Sequence, residues 1–162
     1  MLLASFVMVV LGWIVVLPPS AGPDEPGHLV RSAGIVRGDI EGEGFLNIVF
    51  GGSYEVPAWV GWPDPQCWAF KRDVPVSCAA LLEAPSGTEV LGTRSSNYPI
   101  WGHVLPGVPS LIVDDPVANR FARVFHAAVP VALLAAALVI AARRGRFAAA
   151  TTLFAITPVV LL

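Results

Sequence analysis

The sequence predicts an α-helical membrane protein. We expect a first span, a large disulfide-closed extracytoplasmic loop of mixed short helix and irregular β structure, a second span and the start of a third. The 162 residues are 55% hydrophobic and only 14% charged, whereas soluble domains carry roughly a quarter charged residues. Long apolar runs occur near both ends of the chain, and a polar stretch that holds every acidic residue separates them.

The first apolar run, residues 1–17, carries no charge and is nearly long enough to cross a bilayer. It lacks the basic residues that open a signal peptide, so we expect an uncleaved transmembrane helix. A cleaved signal peptide is the alternative, because residues 20–22 are small, as cleavage sites require. Both interpretations place the chain that follows outside the cytoplasm.

The second span is predicted at residues 116–142, as a helix whose first turns extend above the hydrocarbon. A cluster of arginines at 143–146 follows it directly, and arginines clustered after a span mark the cytoplasmic side. We therefore expect a cytoplasmic loop at 143–146 and an extracytoplasmic loop at 18–115. Arg120 and Arg123, at the outer end of the same span, oppose this orientation.

The last apolar run, residues 147–162, is short for a complete span. We expect it to be the beginning of a third transmembrane helix in a longer multi-pass protein of the plasma membrane. A complete small protein with a short third span is the alternative.

The distribution of charge bears on the partners of the chain. All 12 acidic residues lie between Asp24 and Asp115, and the five basic residues of that stretch leave it with a net charge of −7. Nucleic-acid phosphates are bound by basic surfaces, so we expect no nucleic-acid partner. The composition instead predicts membrane lipid as a partner.

The two cysteines, Cys67 and Cys78, both lie in the predicted outer loop. Two exported cysteines most simply form one disulfide, and closing so short a loop stabilises the fold by about 3 kcal/mol. Two free thiols are the alternative. A zinc site is not expected, because two cysteines alone do not complete a zinc shell.

The outer loop begins with a predicted helix. Asp24 is suited to cap it, Pro26 lies in its first turn, and Gly38 ends it. Apolar residues recur on one side of this segment. We therefore expect a short amphipathic helix that lies along the membrane surface.

Three further segments of the outer loop have distinct patterns. Residues 45–60 are predicted as irregular β structure, in which Pro57 excludes a central strand. Residues 85–97 are predicted as a polar, flexible connection. The apolar residues 98–113 are interrupted by prolines and are predicted as a re-entrant or interfacial segment.

The residues from Asp24 to His28 bring two carboxylates and an imidazole to the membrane boundary. Sugar transfer from a lipid phosphate needs a carboxylate that deprotonates the acceptor or holds a metal, and a cation that binds the leaving phosphate. Asp24 or Glu25 can supply the first, with the other paired to a base, and Arg120 and Arg123 the second. The alternatives are structural, with Asp24 as a helix cap, the arginines as headgroup anchors and His28 as a surface residue.

A divalent metal is a further alternative at the same place. Asp24, Glu25 and His28 have side chains that bind Mg²⁺ or Mn²⁺. Because these three lie within about one helical turn and have no distant partner ligand, the sequence assigns no metal site, and a Mg²⁺ or Mn²⁺ cofactor stays an open question.

The motif Pro23-Asp24-Glu25-Pro26-Gly27-His28 after a first span, followed by Tyr98-Pro99 before a second, resembles an uncharacterised family of bacterial multi-pass membrane proteins allied to the C-type glycosyltransferases. The cysteine pair and the segment 119–123 are similar to actinobacterial members of that family. The resemblance implies a catalytic acidic motif and a polyprenyl-phosphate sugar donor with a glycan acceptor. It places the catalytic motif at Asp24 and Glu25. Beside that motif we expect substrate binding at His28, Arg120, Arg123, Tyr98 and Trp101.

Three functions are consistent with these patterns. The first is a membrane glycosyltransferase for cell-envelope glycan synthesis, acting at the outer membrane face. The others are a non-enzymatic component of polysaccharide export or assembly, and a membrane sensor whose outer loop binds a ligand. A C-type fold builds its site between the outer loop and several spans, so we expect these 162 residues alone to be inactive.

Overall fold

The computed structural model describes residues 2–22, 24–44, 51–62, 67–68, 71–75, 77–78 and 83–145. The chain divides into two compact units, Leu11–His126 and residues 1–10 with 127–162. In chain order the elements are α1 (Leu2–Val16), α2 (Glu25–Val36), β1 (Glu43–Gly44), β2 (Gly52–Pro57), β3 (Thr88–Thr93), α3 (Trp101–Gly107), α4 (Pro109–Ile112) and α5 (Ala118–Arg143). Short 3₁₀ turns at Ala58–Gly61 and Arg94–Asn97 follow β2 and β3.

Helix α5 corresponds to the predicted second span. Within the described part of the chain it is the one helix long and apolar enough to cross a membrane, with a mean hydropathy of 2.4 over its most apolar window. Helix α1 is apolar but has only 15 residues. The predicted helix at 116–142 is therefore present, its crossing of a membrane stays a prediction, and the third span predicted at 147–162 lies outside the described residues.

The sheet of the larger unit has three antiparallel strands in the order β1-β2-β3. Strand β2 is central, and every residue in it except Glu55 is buried. Tyr54 and Val56 of this strand are completely inaccessible to solvent. Such burial of successive residues is typical of a strand covered on both faces.

The exclusion of a central strand around Pro57 is wrong. Strand β1 pairs only with Gly52 and Ser53, so at its far end β2 has a neighbour on one side alone, namely β3, where Pro57 faces Thr88. Proline has no N–H to donate, but this costs nothing here, because among the described residues no strand lies on that side of Pro57 to accept a hydrogen bond. The polar, flexible connection predicted at 85–97 is also wrong over Thr88–Thr93, which is strand β3.

Helix α2 has the predicted bounds but a different environment. Its residues Leu29, Val30 and Ala33 belong to the main hydrophobic core, which also contains Tyr54, Val56, Trp59, Val60, Ala118 and Ala122. Burial of seven consecutive residues of α2 shows that its apolar side packs inside the protein. The expectation that this side lies along a membrane surface is therefore wrong, because the sheet covers it.

The approach of α2 to the sheet requires a glycine. A Cβ atom built on Gly34 would lie 2.2 Å from Cδ1 of Tyr54, so any side chain there would collide with the ring. The helix ends where Gly38 adopts a positive φ of 94°, the left-handed conformation that closes many helices.

Cys67 and Cys78 form the predicted disulfide, with their Cα atoms 6.3 Å apart. The bridge closes a loop between β2 and β3. No residue of this loop belongs to the main core cluster of the described residues, so the bridge constrains a peripheral part of the fold.

Candidate functional site

Asp24 lies immediately before α2 in the left-handed conformation, with φ 54° and ψ 6°. Aspartate is one of the few residues other than glycine that adopt this conformation. Its backbone carbonyl accepts the N–H of His28 at 3.1 Å, but its side chain makes no capping hydrogen bond. The carboxylate is exposed and is therefore not used as a helix cap.

Glu25, the next residue, is engaged in an ion pair. Its Oε1 and Oε2 accept from Nε and Nη2 of Arg123 at 2.5 and 2.8 Å, a bidentate geometry that is among the strongest pairings of side chains. The Oε2 atom also accepts the backbone N–H of Gly22 at 2.9 Å. The expected pairing of one carboxylate with a base thus involves Glu25.

Arg123 has no donor left over. Besides the two bonds to Glu25, Nη1 donates to the carbonyls of Ile14 and Leu17, and Nη2 donates to the carbonyl of Pro18. These five bonds match the five N–H groups of a guanidinium. A phosphate could bind Arg123 only by displacing one of these partners, so its role in this structure is to join the end of α1 to α2 and α5.

His28, one turn after Asp24, is the centre of a group of aromatic rings. Its ring centroid lies 5.1 Å from that of Tyr98, and 5.3 Å from that of His103 in a stacked arrangement. His103 is buried, and its Nδ1 lies 3.0 Å from Oγ of buried Ser32. We call Asp24, His28, Tyr98 and His103 the His28 cluster.

The two imidazoles of the His28 cluster favour their neutral forms. Burial lowers the pKa of His103 to about 4, with further lowering by His28, Arg31 and His126. Burial also lowers the pKa of His28, although the nearby Asp24 carboxylate acts in the opposite direction. At neutral pH both rings are therefore uncharged, and the unprotonated nitrogen of each can accept a hydrogen bond.

Arg31 lies behind the cluster and is only 3% exposed. Its Nη2 donates to the carbonyl of Tyr98 at 2.6 Å, and its Nη1 to the hydroxyl of Tyr54 at 3.3 Å. Its Nε has no partner, and among the described residues no carboxylate lies within ion-pair distance of it. A cleft of about 330 Å³ adjoins it, lined also by Ile40, Glu41, Gly51, Ser96, Asn97 and Ile100.

The structure thus separates the predicted site residues into three sets. Asp24, His28 and Tyr98 come together in the His28 cluster. Glu25 and Arg123 bind each other. Arg120 and Trp101 are exposed, and neither makes a side-chain hydrogen bond or ring contact to the cluster. No group of three or more histidine, cysteine, aspartate or glutamate side chains in the described residues is arranged to hold a metal ion.

Three further residues of the site were not predicted from the sequence. Arg31 and Ser32 are neighbours on α2, and the packing of α3 against α2 brings His103 to Ser32, so no local motif marks the group. The one available signal is rarity, because His103 is one of only three histidines in the chain and all three interact electrostatically here.

Comparison with protein-family models, with curated proteins and with solved structures finds no match to this chain. The function is therefore argued from the geometry of the His28 cluster.

Proposed function

We propose that this chain forms the first part of a multi-pass membrane glycosyltransferase that uses a polyprenyl-phosphate sugar for cell-envelope glycan synthesis at the outer membrane face. One observation carries the proposal. The Asp24 carboxylate is exposed and makes no capping bond, one turn from the half-buried His28. A carboxylate with no structural task beside a neutral imidazole is suited to acid–base chemistry.

In the proposed reaction Asp24 is the general base. It accepts the proton of an acceptor hydroxyl, the oxygen forms a bond to the anomeric carbon of the donor sugar, and the bond from that carbon to the phosphate oxygen breaks. The phosphate leaves with the electron pair. Neutral His28 accepts a hydrogen bond from a second hydroxyl of the acceptor and thereby orients the reacting hydroxyl toward Asp24.

Binding of the substrates is assigned to other residues. Tyr98 is half-exposed beside His28, and an aromatic face in that position can stack on a sugar ring. Arg120 is exposed and is the cation proposed to meet the phosphate, since the guanidinium of Arg123 is fully engaged. Glu25 and Arg123 act as positioning residues, because their pairing holds the start of α2, directly after Asp24, against α5.

The test is replacement of Asp24 with Asn in the full-length gene product in its native host. Asp73→Asn is the matched control, since Asp73 is also exposed in the outer loop and lies outside the cluster. After membrane insertion of both variants is verified, cell-envelope glycans are compared by mass spectrometry. We expect a lost or shortened glycan in Asp24→Asn only.

An unchanged glycan in Asp24→Asn, when deletion of the gene does alter it, would contradict the proposed base. That result would favour the non-enzymatic role in polysaccharide export or assembly. A sensor role would be favoured instead if the outer loop bound sugar while the glycans stayed unchanged.

A further inference from the structure

Helices α3 and α4 have an unusual distribution of polar and apolar side chains. Residues 98–113 contain no aspartate, glutamate, lysine or arginine. The one ionisable imidazole, His103, points inward to Ser32. The large apolar side chains point outward, with Trp101 80% and Ile112 77% exposed. The other exposed apolar side chains of this surface are Ile100, Val104, Leu105 and Leu111.

The orientation of this segment is set by its contact with α2. A Cβ atom built on Gly107 would lie 2.2 Å from the backbone oxygen of Ser32, so the two backbones touch there. Together with buried His103, this contact turns one side of α3 inward and leaves the apolar side uncovered. An exposed apolar surface of this kind marks an interaction site rather than an ordinary surface.

Chain connectivity indicates what covers the surface. Only five residues separate Ile112, where α4 ends, from Ala118, where α5 begins, so these two helix ends lie at most about 22 Å apart. The first turns of α5 also expose apolar side chains, including Phe121 and Phe125. Tryptophan and tyrosine are the residues enriched at the boundary between lipid and water.

We propose that α3 and α4 form an interfacial anchor whose exposed apolar side inserts into the outer leaflet of the bilayer, with Trp101 and Ile112 among the lipid acyl chains. The proposal rests on the membrane crossing of α5 that the proposed function includes. Through the stacking of His103 on His28, the anchor sets the height of the His28 cluster. It holds that cluster at the level of the lipid headgroups, where a lipid-linked phosphate lies. Trp101 thereby contacts lipid instead of the sugar.

The test uses nitroxide spin labels on the complete chain in vesicles of phosphatidylcholine and phosphatidylglycerol. Labels are attached at Trp101→Cys and Ile112→Cys, and the native cysteines do not react because they are paired. Val90→Cys is the control, since Val90 is apolar and 63% exposed on β3, outside the anchor. Leu133→Cys reports on the middle of α5. Collisions with oxygen, which concentrates in lipid, are compared with collisions with a water-soluble nickel chelate.

We expect the oxygen-to-nickel collision ratio at Trp101→Cys and Ile112→Cys to be several-fold higher than at Val90→Cys, and lower than at Leu133→Cys, because the middle of α5 lies deeper in the bilayer. A high ratio at Leu133→Cys with water-like values at both anchor positions would overturn the anchor and leave the membrane crossing of α5 intact. Low collision rates with both reagents would mean that protein covers the surface, which also overturns it. A water-like value at Leu133→Cys would refute the crossing itself.

Discussion

Arg123 on α5 donates to both carboxylate oxygens of Glu25 on α2, at 2.5 and 2.8 Å. The same guanidinium donates to backbone carbonyls at the C-terminal end of α1, where a cation also interacts favourably with the helix dipole. Within Leu11–His126, one side chain therefore connects the end of α1, the start of α2 and the first turns of α5, next to the residue proposed as the general base.

Removal of this connection should destabilise the protein. We expect Arg123→Met to lower the free energy of unfolding by about 3 kcal/mol, because it leaves a largely buried carboxylate without its counter-charge. Arg123→Lys should recover only part of this loss, since an ammonium group cannot reproduce the bidentate geometry. Unfolding in detergent micelles, followed by tryptophan fluorescence, measures the effect.

Arg120→Met is the control for that experiment. Arg120 lies on the same helix, is exposed, and should change stability by no more than about 0.5 kcal/mol. Equal stability of the Arg123→Met and Arg120→Met variants would mean that the Glu25–Arg123 pair does not hold these helices together.

Two glycines of α3 offer a second comparison. Alanine at Gly107 should destabilise the protein by about 1 to 3 kcal/mol, because its Cβ would collide with the backbone of Ser32. Alanine at Gly102 meets no atom within 4 Å and should be neutral or stabilise the helix by up to about 1 kcal/mol. The same unfolding measurement applies. If both variants were equally stable, the close packing of α3 on α2 would be wrong.

The buried imidazole of His103 predicts a dependence of stability on pH. Its pKa is lowered to about 4 in the folded protein, whereas an unfolded chain has a histidine pKa of about 6.5. Between pH 4 and pH 6.5 the unfolded state therefore binds more protons than the folded state. The contribution of His103 to the free energy of unfolding is fully present above pH 6.5 and is lost as the pH decreases toward 4. The pKa of His28 is lowered too, which adds to the loss in the same direction.

The size of this effect is about 2 to 3 kcal/mol for His103. His103→Asn retains a short side chain that can bond Ser32 but does not titrate. We expect the melting temperature of the wild type to fall by several degrees more than that of the variant between pH 7 and pH 4.5. Parallel curves for the two proteins would show that His103 is not the titrating group.

Several elements were predictable because their signals are local. The signals for α2 are Pro26 in its first turn and Gly38 after its last turn, which lie only twelve residues apart. The helix in the structure is Glu25–Val36. The apolar run before Arg143 predicted α5 for the same reason. The disulfide followed from the presence of only two cysteines in one loop.

The errors occurred where distant residues decide the environment. Pro57 is tolerated in a central strand only because β1 is two residues long, a property of a different segment. Residues Thr88–Thr93 were not predicted as a strand because their composition is polar. They form an edge strand that is stabilised by pairing with β2. The apolar side of α2 indicated burial but did not say whether sheet or lipid would cover it.

By itself, the sequence determined the positions of helices α1, α2 and α5, the pairing of the cysteines, and the acidic motif that precedes α2. These depend on residues close together in the chain or on a unique pair. Only the tertiary structure decided that Glu25 binds Arg123, 98 residues away, while Asp24 remains exposed, and that His103 meets Ser32 across 71 residues. Such contacts follow from the packing of helices on one another and on the sheet, and backbone propensity along the chain carries no information about them.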